Sequence, residues 1–211
     1  MQVQDPIRRR GRPPRQRDGL TDARELLMRA GLEVLTEKGF SATGIEEILS
    51  RVGVPKGSFY HYFDSKEAFG LGLIDRYGEF FAAKLDRHLL NRTLTPLARL
   101  HAFIDDAKSS MARFGYRRGC LIGNLGQEMG ALPESFRARL QHTFEDWQRR
   151  FALCLVEAQQ VGELTSEVNA QQVAEFFWIG WEGAVLRAKL ERRAAPLDVF
   201  TQFFFAGFRS K

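Results

Sequence analysis

Apolar positions recur along this chain at the three-and-four spacing of a helix, and no stretch alternates in the two-residue rhythm of a strand. The first segment runs from Thr21, a capping residue, to Lys38, where Gly39 stops it. Leu26, Leu27, Ala30, Leu32, Val34 and Leu35 supply its apolar face, and Phe40 closes the corner. Thr43 and Glu46 then have capping-box spacing, and Ile45, Ile48, Leu49 and Val52 line one side of a short helix ended by Gly53. Pro55 opens another short helix as a first-turn residue. Two short helices about a glycine turn predict a helix-turn-helix.

The later segments are helical as well. Ser65 caps a long helix from Lys66 to about Leu90, and Thr95-Pro96 starts one that reaches about Arg113. Glycines at 115, 119, 123 and 126 leave at best a short helix over Cys120 to Met129. Pro133 opens a long helix to Gln160, Asn169 another to about Arg192, and Pro196 the last, to about Phe208. The prediction is an all-α fold of about nine helices, with a helix-turn-helix head over 21–66 and a body over 67–211. The long fourth helix joins them.

Residues 1–20 stand apart. Arg8 to Arg17 holds six arginines, no acid, and the Pro and Gly that prevent a helix, so this arm is expected to be disordered in isolation. Arg10-Gly11-Arg12-Pro13 is similar to the AT-hook tripeptide, whose arginines enter the narrow minor groove of A·T tracts. A solubilising tail is the alternative. Elsewhere the charge is balanced, for a net of only +5 over 211 residues.

The two cysteines, Cys120 and Cys154, are far apart and have no CxxC or histidine cluster beside them, so no disulfide scaffold and no metal or other cofactor is expected. The longest apolar runs, such as Phe176 to Trp181, are too short to cross a bilayer, and no apolar region follows the early arginines. A cytoplasmic protein without a membrane partner is expected. Its four histidines lie apart without motif partners, which argues against an enzyme.

The second helix of the motif begins Lys56, Gly57, Ser58 and continues with Tyr60 and His61, while Phe59, Tyr62 and Phe63 supply bulk. Small, polar and basic residues at a helix start suit close approach to a phosphate-lined groove. An ordinary surface hairpin is the other reading of that periodicity. The stretch from Gly31 to Ile74, and above all VPKGSFYHYFDSKEAF, resembles the DNA-binding domain of TetR-type repressors. The resemblance implies an all-helical homodimer with a ligand-binding body. In this chain Thr43, Gly44, Lys56, Gly57, Ser58, Tyr60, His61 and Lys66 would then contact a near-palindromic double-stranded operator, with Arg10 and Arg12 in the adjacent minor groove.

In the body, Trp178, Glu182, Val185 and Lys189 form one narrow helical stripe, either an interface or a polar-tipped pocket. Gly180, Gly183 and Ala184 make a small-residue surface suited to close helix approach, and the last two helices are the expected dimer interface. Cys120 follows Arg117 and Arg118 near a helix start, two features that favour thiolate. Cys154, between leucines, is expected to be a small core residue. GCLIGNLGQEMGALP together with FWIGWEGAVLRAKLE looks like the acrylate-responsive, AcuR-like branch of the family. It is more weakly similar to NemR-like sensors of N-ethylmaleimide, aldehydes and reactive chlorine.

That likeness implies an inducer such as acrylate, bound among Cys120, Asn124, Gln127, Trp178, Trp181, Glu182 and Lys189. The weaker likeness implies instead a redox or electrophile switch formed by Cys120 and Lys189. A constitutive DNA-architectural protein is a further, less favoured reading.

Overall fold

The computed structural model describes residues 18–208, and among them nine helices and no strand. They are α1 (Asp18–Lys38), α2 (Ile45–Val52), α3 (Lys56–Tyr62), α4 (Lys66–Leu89), α5 (Pro96–Arg113), α6 (Leu121–Gln127), α7 (Glu134–Gln160), α8 (Ala170–Glu191) and α9 (Ala195–Phe208). Arg10 and Arg12 lie outside the described residues. The all-α expectation and its helix order hold.

Local chemistry sets the helix boundaries. Gly53 ends α2 in the left-handed region, φ 63°, where its N–H reaches Leu49 O. Ser65 Oγ accepts from Ala68 N at the start of α4, and Asn169 Oδ1 from Gln171 N and Gln172 N at the start of α8. Three expectations fail. α1 already begins at Asp18, so Thr21 lies within it. The capping box is not formed: Gly44 is the N-cap of α2, and the Thr43 hydroxyl donates to Gly39 O at 2.6 Å. Pro55 is the N-cap of α3 rather than its first helical residue.

The head closes around Leu27, Leu35, Ile48, Phe59 and Phe69, all buried, with Phe63 stacked edge-on against Phe69. Leu26, expected on this face, is exposed, and Leu32 turns instead to a cavity in the body. α7 packs against α4 on one side and α8 on the other, while α9 covers α8. An aromatic cluster of Phe81, Trp147, Trp178 and Phe177 fills the space between them. Cys154 of α7 is buried, and its thiol donates to Pro96 O at the start of α5 at 3.4 Å, so it is the core residue expected.

Head and body are joined by more than α4. Glu128, which follows α6, accepts from Phe40 N at 3.0 Å and Ser41 N at 2.8 Å, in the turn between α1 and α2. Gly39 makes this approach possible. Its φ is 87°, and a Cβ there would lie 2.0 Å from Glu128 Oε1. Arg76 of α4 grips Glu25 of α1 in a bidentate pair at 2.5 Å, which holds the Glu25 carboxyl down at about 2.

Candidate nucleic-acid interface and effector cavity

α3 presents one polar face. Phe59 anchors it, wholly buried, while Lys56, Gly57, Tyr60 and His61 are exposed and Ser58 is half-buried. Gly44, at the start of α2, is exposed too, and a Cβ at Gly44 or Gly57 would meet nothing, so neither glycine is required by packing. Lys56 Nζ pairs with Glu46 Oε1 at 2.7 Å, and that bond raises the lysine's pKa above its ordinary value.

Two of the expected contact residues are placed elsewhere. Thr43 is 1% exposed, its hydroxyl held by Gly39 O. Lys66 reaches inward, with Nζ 2.8 Å from Phe40 O and 4.3 Å from the centre of the Phe40 ring. The Phe40 carbonyl, which also accepts from Thr43 N at 3.2 Å, holds it in the α1–α2 turn.

In the body a cavity of about 440 Å³ opens between α1, α4, α5, α8 and the loop that leads into α6. Its walls are mostly apolar, built by Leu32, Phe81, Met111, Trp181 and Val185. The polar groups on it include Arg29, Glu33 and Thr36 of α1, Tyr77 and Lys84 of α4, Ser110 and Arg113 of α5, Arg118 and Cys120 before α6, and Glu182 of α8.

Of the seven predicted ligand residues, Cys120, Trp181 and Glu182 line this cavity. Trp178 stands behind the wall, buried against Trp147 at 5.1 Å. Asn124 and Lys189 face α1: Asn124 Nδ2 donates to Thr36 O at 2.9 Å and Lys189 Nζ to the same carbonyl at 3.0 Å. Burial lowers the Lys189 pKa, against the pull of Glu128 and Glu37. Gln127 is exposed and outside the cavity.

Cys120 is the N-cap of α6, where its Sγ accepts from Gly123 N at 3.5 Å. Burial pushes this thiol well above its ordinary range, and the Glu182 charge pushes it further. The neighbouring arginines do not oppose that: Arg118 bonds Glu37 at 3.1 Å and Glu33 at 3.4 Å and lies over the Phe114 ring. The sequence-based expectation of a thiolate is therefore corrected to a resting thiol. Burial also raises Glu182, to about 7, and Tyr77, well above its ordinary value.

Lys84 and Tyr77 were not among the predicted ligand residues. Tyr77, Phe81 and Lys84 repeat on α4 the i, i+4, i+7 stripe of Trp178, Glu182 and Val185 on α8, and all of these but Trp178 line the same cavity. Lys84 is buried, with Nζ 3.2 Å from Ser110 Oγ and 3.1 Å from Asp106 Oδ2.

A helix-turn-helix head tied to a hollow helical body defines a one-component transcriptional regulator, in which one chain both reads DNA and holds an effector. Residues 27–70 match the model for bacterial regulatory proteins of the tetR family, and residues 96–204 the tetracyclin repressor-like C-terminal domain. The chain belongs to the TetR family, whose members bind DNA operators and small molecules and act as dimers. It is 57% identical over 196 residues to the transcriptional regulator AcuR of Cereibacter sphaeroides, covering 93% of this chain and 89% of that one. The HTH-type transcriptional repressor NemR of Escherichia coli is 30% identical over 177 residues, covering 84% of this chain and 89% of that protein. A crystal structure of a regulatory protein TetR from Rhodobacter sphaeroides superposes with a TM-score of 0.87 at 57% identity, over 88% of this chain and 98% of that one. These relatives are regulators, not enzymes. No helix among the described residues is long and apolar enough to cross a membrane.

Proposed function

We propose that this chain is a homodimeric repressor that releases a near-palindromic operator when acrylate, or a similar small unsaturated carboxylate, enters the body cavity. The observation that carries the inducer class is Lys84, a buried ammonium held by Asp106 and Ser110 on a largely apolar cavity wall. A small carboxylate needs one such partner and apolar surroundings for its carbon chain. At about 440 Å³ the cavity leaves room beside a three-carbon acid, so longer unsaturated acids also fit.

In this reading residues 21–66 form the head and 67–211 the body. Gly44, Lys56, Gly57, Ser58, Tyr60 and His61 meet the major groove, and Arg10 and Arg12 the minor groove beside it. The dimer forms through α8 and α9, whose outer faces expose Ile179, Leu190, Val199 and Phe203. The second reading, an electrophile-sensing repressor switched through Cys120 and Lys189, is supported by the position of Cys120 on the cavity wall and by the likeness to NemR.

Operator release, followed by fluorescence anisotropy against rising acrylate and rising N-ethylmaleimide, tests both. Reversible release by acrylate from both wild type and Cys120→Ser is the expected result. Release by the electrophile alone, and from wild type alone, would replace the carboxylate reading with the second one.

A further inference from the structure

Glu182 is a carboxyl group with no cation beside it. Burial is the largest influence on it, and the only opposing one is its hydrogen bond with the Cys120 side chain. Its Oε1 is buried without a hydrogen-bond partner. Its Oε2 lies so close over α6 that a Cβ at Gly123 would come within 1.9 Å of it. The glycine is what admits the carboxyl to the thiol. Cys120 Sγ in turn accepts from Gly123 N, and the Tyr77 side chain meets the same thiol. The sulfur thus has a carboxylate to take its proton and a main-chain N–H to hold the charge left behind, on the wall of a cavity that a small molecule can enter. The titratable and charged groups that share the cavity with the pair are Arg29 and Glu33 of α1, Tyr77 and Lys84 of α4, Arg113 of α5 and Arg118 from the loop before α6.

We infer that Glu182 is the proton acceptor that makes Cys120 a nucleophile toward small α,β-unsaturated carbonyl compounds admitted to this cavity. The inference rests on the cavity being the effector site and deepens the covalent reading of it. Glu182 takes the S–H proton as Sγ attacks the β-carbon. The C–S bond forms and the C=C pair moves onto the α-carbon and carbonyl oxygen as an enolate. Glu182 then returns the proton to the α-carbon. The thioether holds every atom of thiol and acceptor, Glu182 ends ionised, and no oxidant or reductant is needed. The thiol stays protonated until an acceptor is seated, so the site answers to what fits rather than to every electrophile in solution.

The test measures the rate of Cys120 alkylation by acrylamide, a neutral three-carbon acceptor, using intact-protein mass spectrometry and peptide mapping from pH 6 to 9. Cys154 serves as the buried internal control. The wild-type rate should rise through about pH 7, the range in which Glu182 ionises, and then flatten. Glu182→Gln keeps the shape and removes the base, so its rate should fall tenfold or more at pH 7.5 and climb in proportion to hydroxide across the range.

A purely electrostatic role predicts the opposite sign. Removing the Glu182 charge would ease thiolate formation and speed the reaction, so an equal or faster rate in Glu182→Gln overturns the inference. So does a wild type that forms no Cys120 adduct. Glu182→Asp, which keeps a carboxyl one methylene further away, should restore the inflection near neutral pH. Operator binding by each variant confirms its fold. Acrylate release measured on the same samples tests the regulator reading separately, since it can succeed or fail whatever the alkylation rates.

Discussion

Lys189 Nζ donates to the main-chain carbonyl of Thr36, 3.0 Å away, although 153 residues separate the two. Asn124 Nδ2 and Gly119 N converge on the same oxygen. This carbonyl belongs to the last turn of α1, and the turn that follows is held by Glu128. The segment carrying Cys120 is therefore bonded directly to the helix end that positions the DNA-binding motif. In the proposed reading, a shift of the cavity wall would reach the head through α1 as well as through α4.

Lys189→Met should remove one of these donors while leaving its aliphatic stem packed. The expected cost is about 1 kcal/mol of stability, because Asn124 and Gly119 still satisfy Thr36 O. Operator affinity should survive, while the inducer concentration needed for half-release changes. Anisotropy titrations of both proteins check this; an unaltered inducer response would remove Lys189 from the coupling path.

Glu128→Ala leaves two main-chain N–H groups, those of Phe40 and Ser41, without their carboxylate. The head should loosen by about 2–3 kcal/mol. Hydrogen exchange would report it as lost protection confined to the turn and α2, with α7 and α8 unchanged.

Glu182 links folding to pH with a definite sign. Its carboxyl is held at about 7 against 4.5 for an ordinary glutamate, so the folded chain keeps a proton that the unfolded chain has released within that window. Its contribution to stability is complete below pH 4.5 and declines as pH rises through 7. Glu182→Gln should be more stable than wild type by up to about 3 kcal/mol above pH 7, with the gap closing toward pH 4.5. Urea unfolding at pH 5 and pH 8 measures it.

On α8 and α9, Leu190 is 75% exposed and Phe203 69%. Phe203→Asp should yield a monomer by analytical ultracentrifugation and lower operator affinity at least tenfold, since a monomer reads one half-site. A dimer that persists would place the subunit contact elsewhere.

Lys56→Ala removes an exposed cation whose partner in free protein is Glu46, so stability should hardly change. Binding should weaken, and the slope of log affinity against log salt should fall by about 1 for each subunit. If the slope is unchanged, Lys56 meets no phosphate.

The helices were legible because their ends are written in local chemistry: the Ser65 and Asn169 caps and the Gly53 stop all act within a few residues. Thr43 misled because a capping box and a hydroxyl turned back to Gly39 O share one spacing, and burial decided between them. Arg118 misled for the opposite reason. It is close to Cys120 in sequence, yet two α1 carboxylates claim it in space. The α8 stripe could be read from the chain, but that Lys189 turns to Thr36 while Glu182 turns to the cavity depends on how α1 crosses them. Lys84 was hidden in a long helix whose lysine would ordinarily be solvated.

Trp181 lines the cavity, whereas Trp147 and Trp178, the only other tryptophans in the chain, do not. Occupancy should therefore alter the emission of a single indole above a steady background from two enclosed ones. The protein carries its own optical reporter, and effectors can be screened by intrinsic fluorescence before the operator is known.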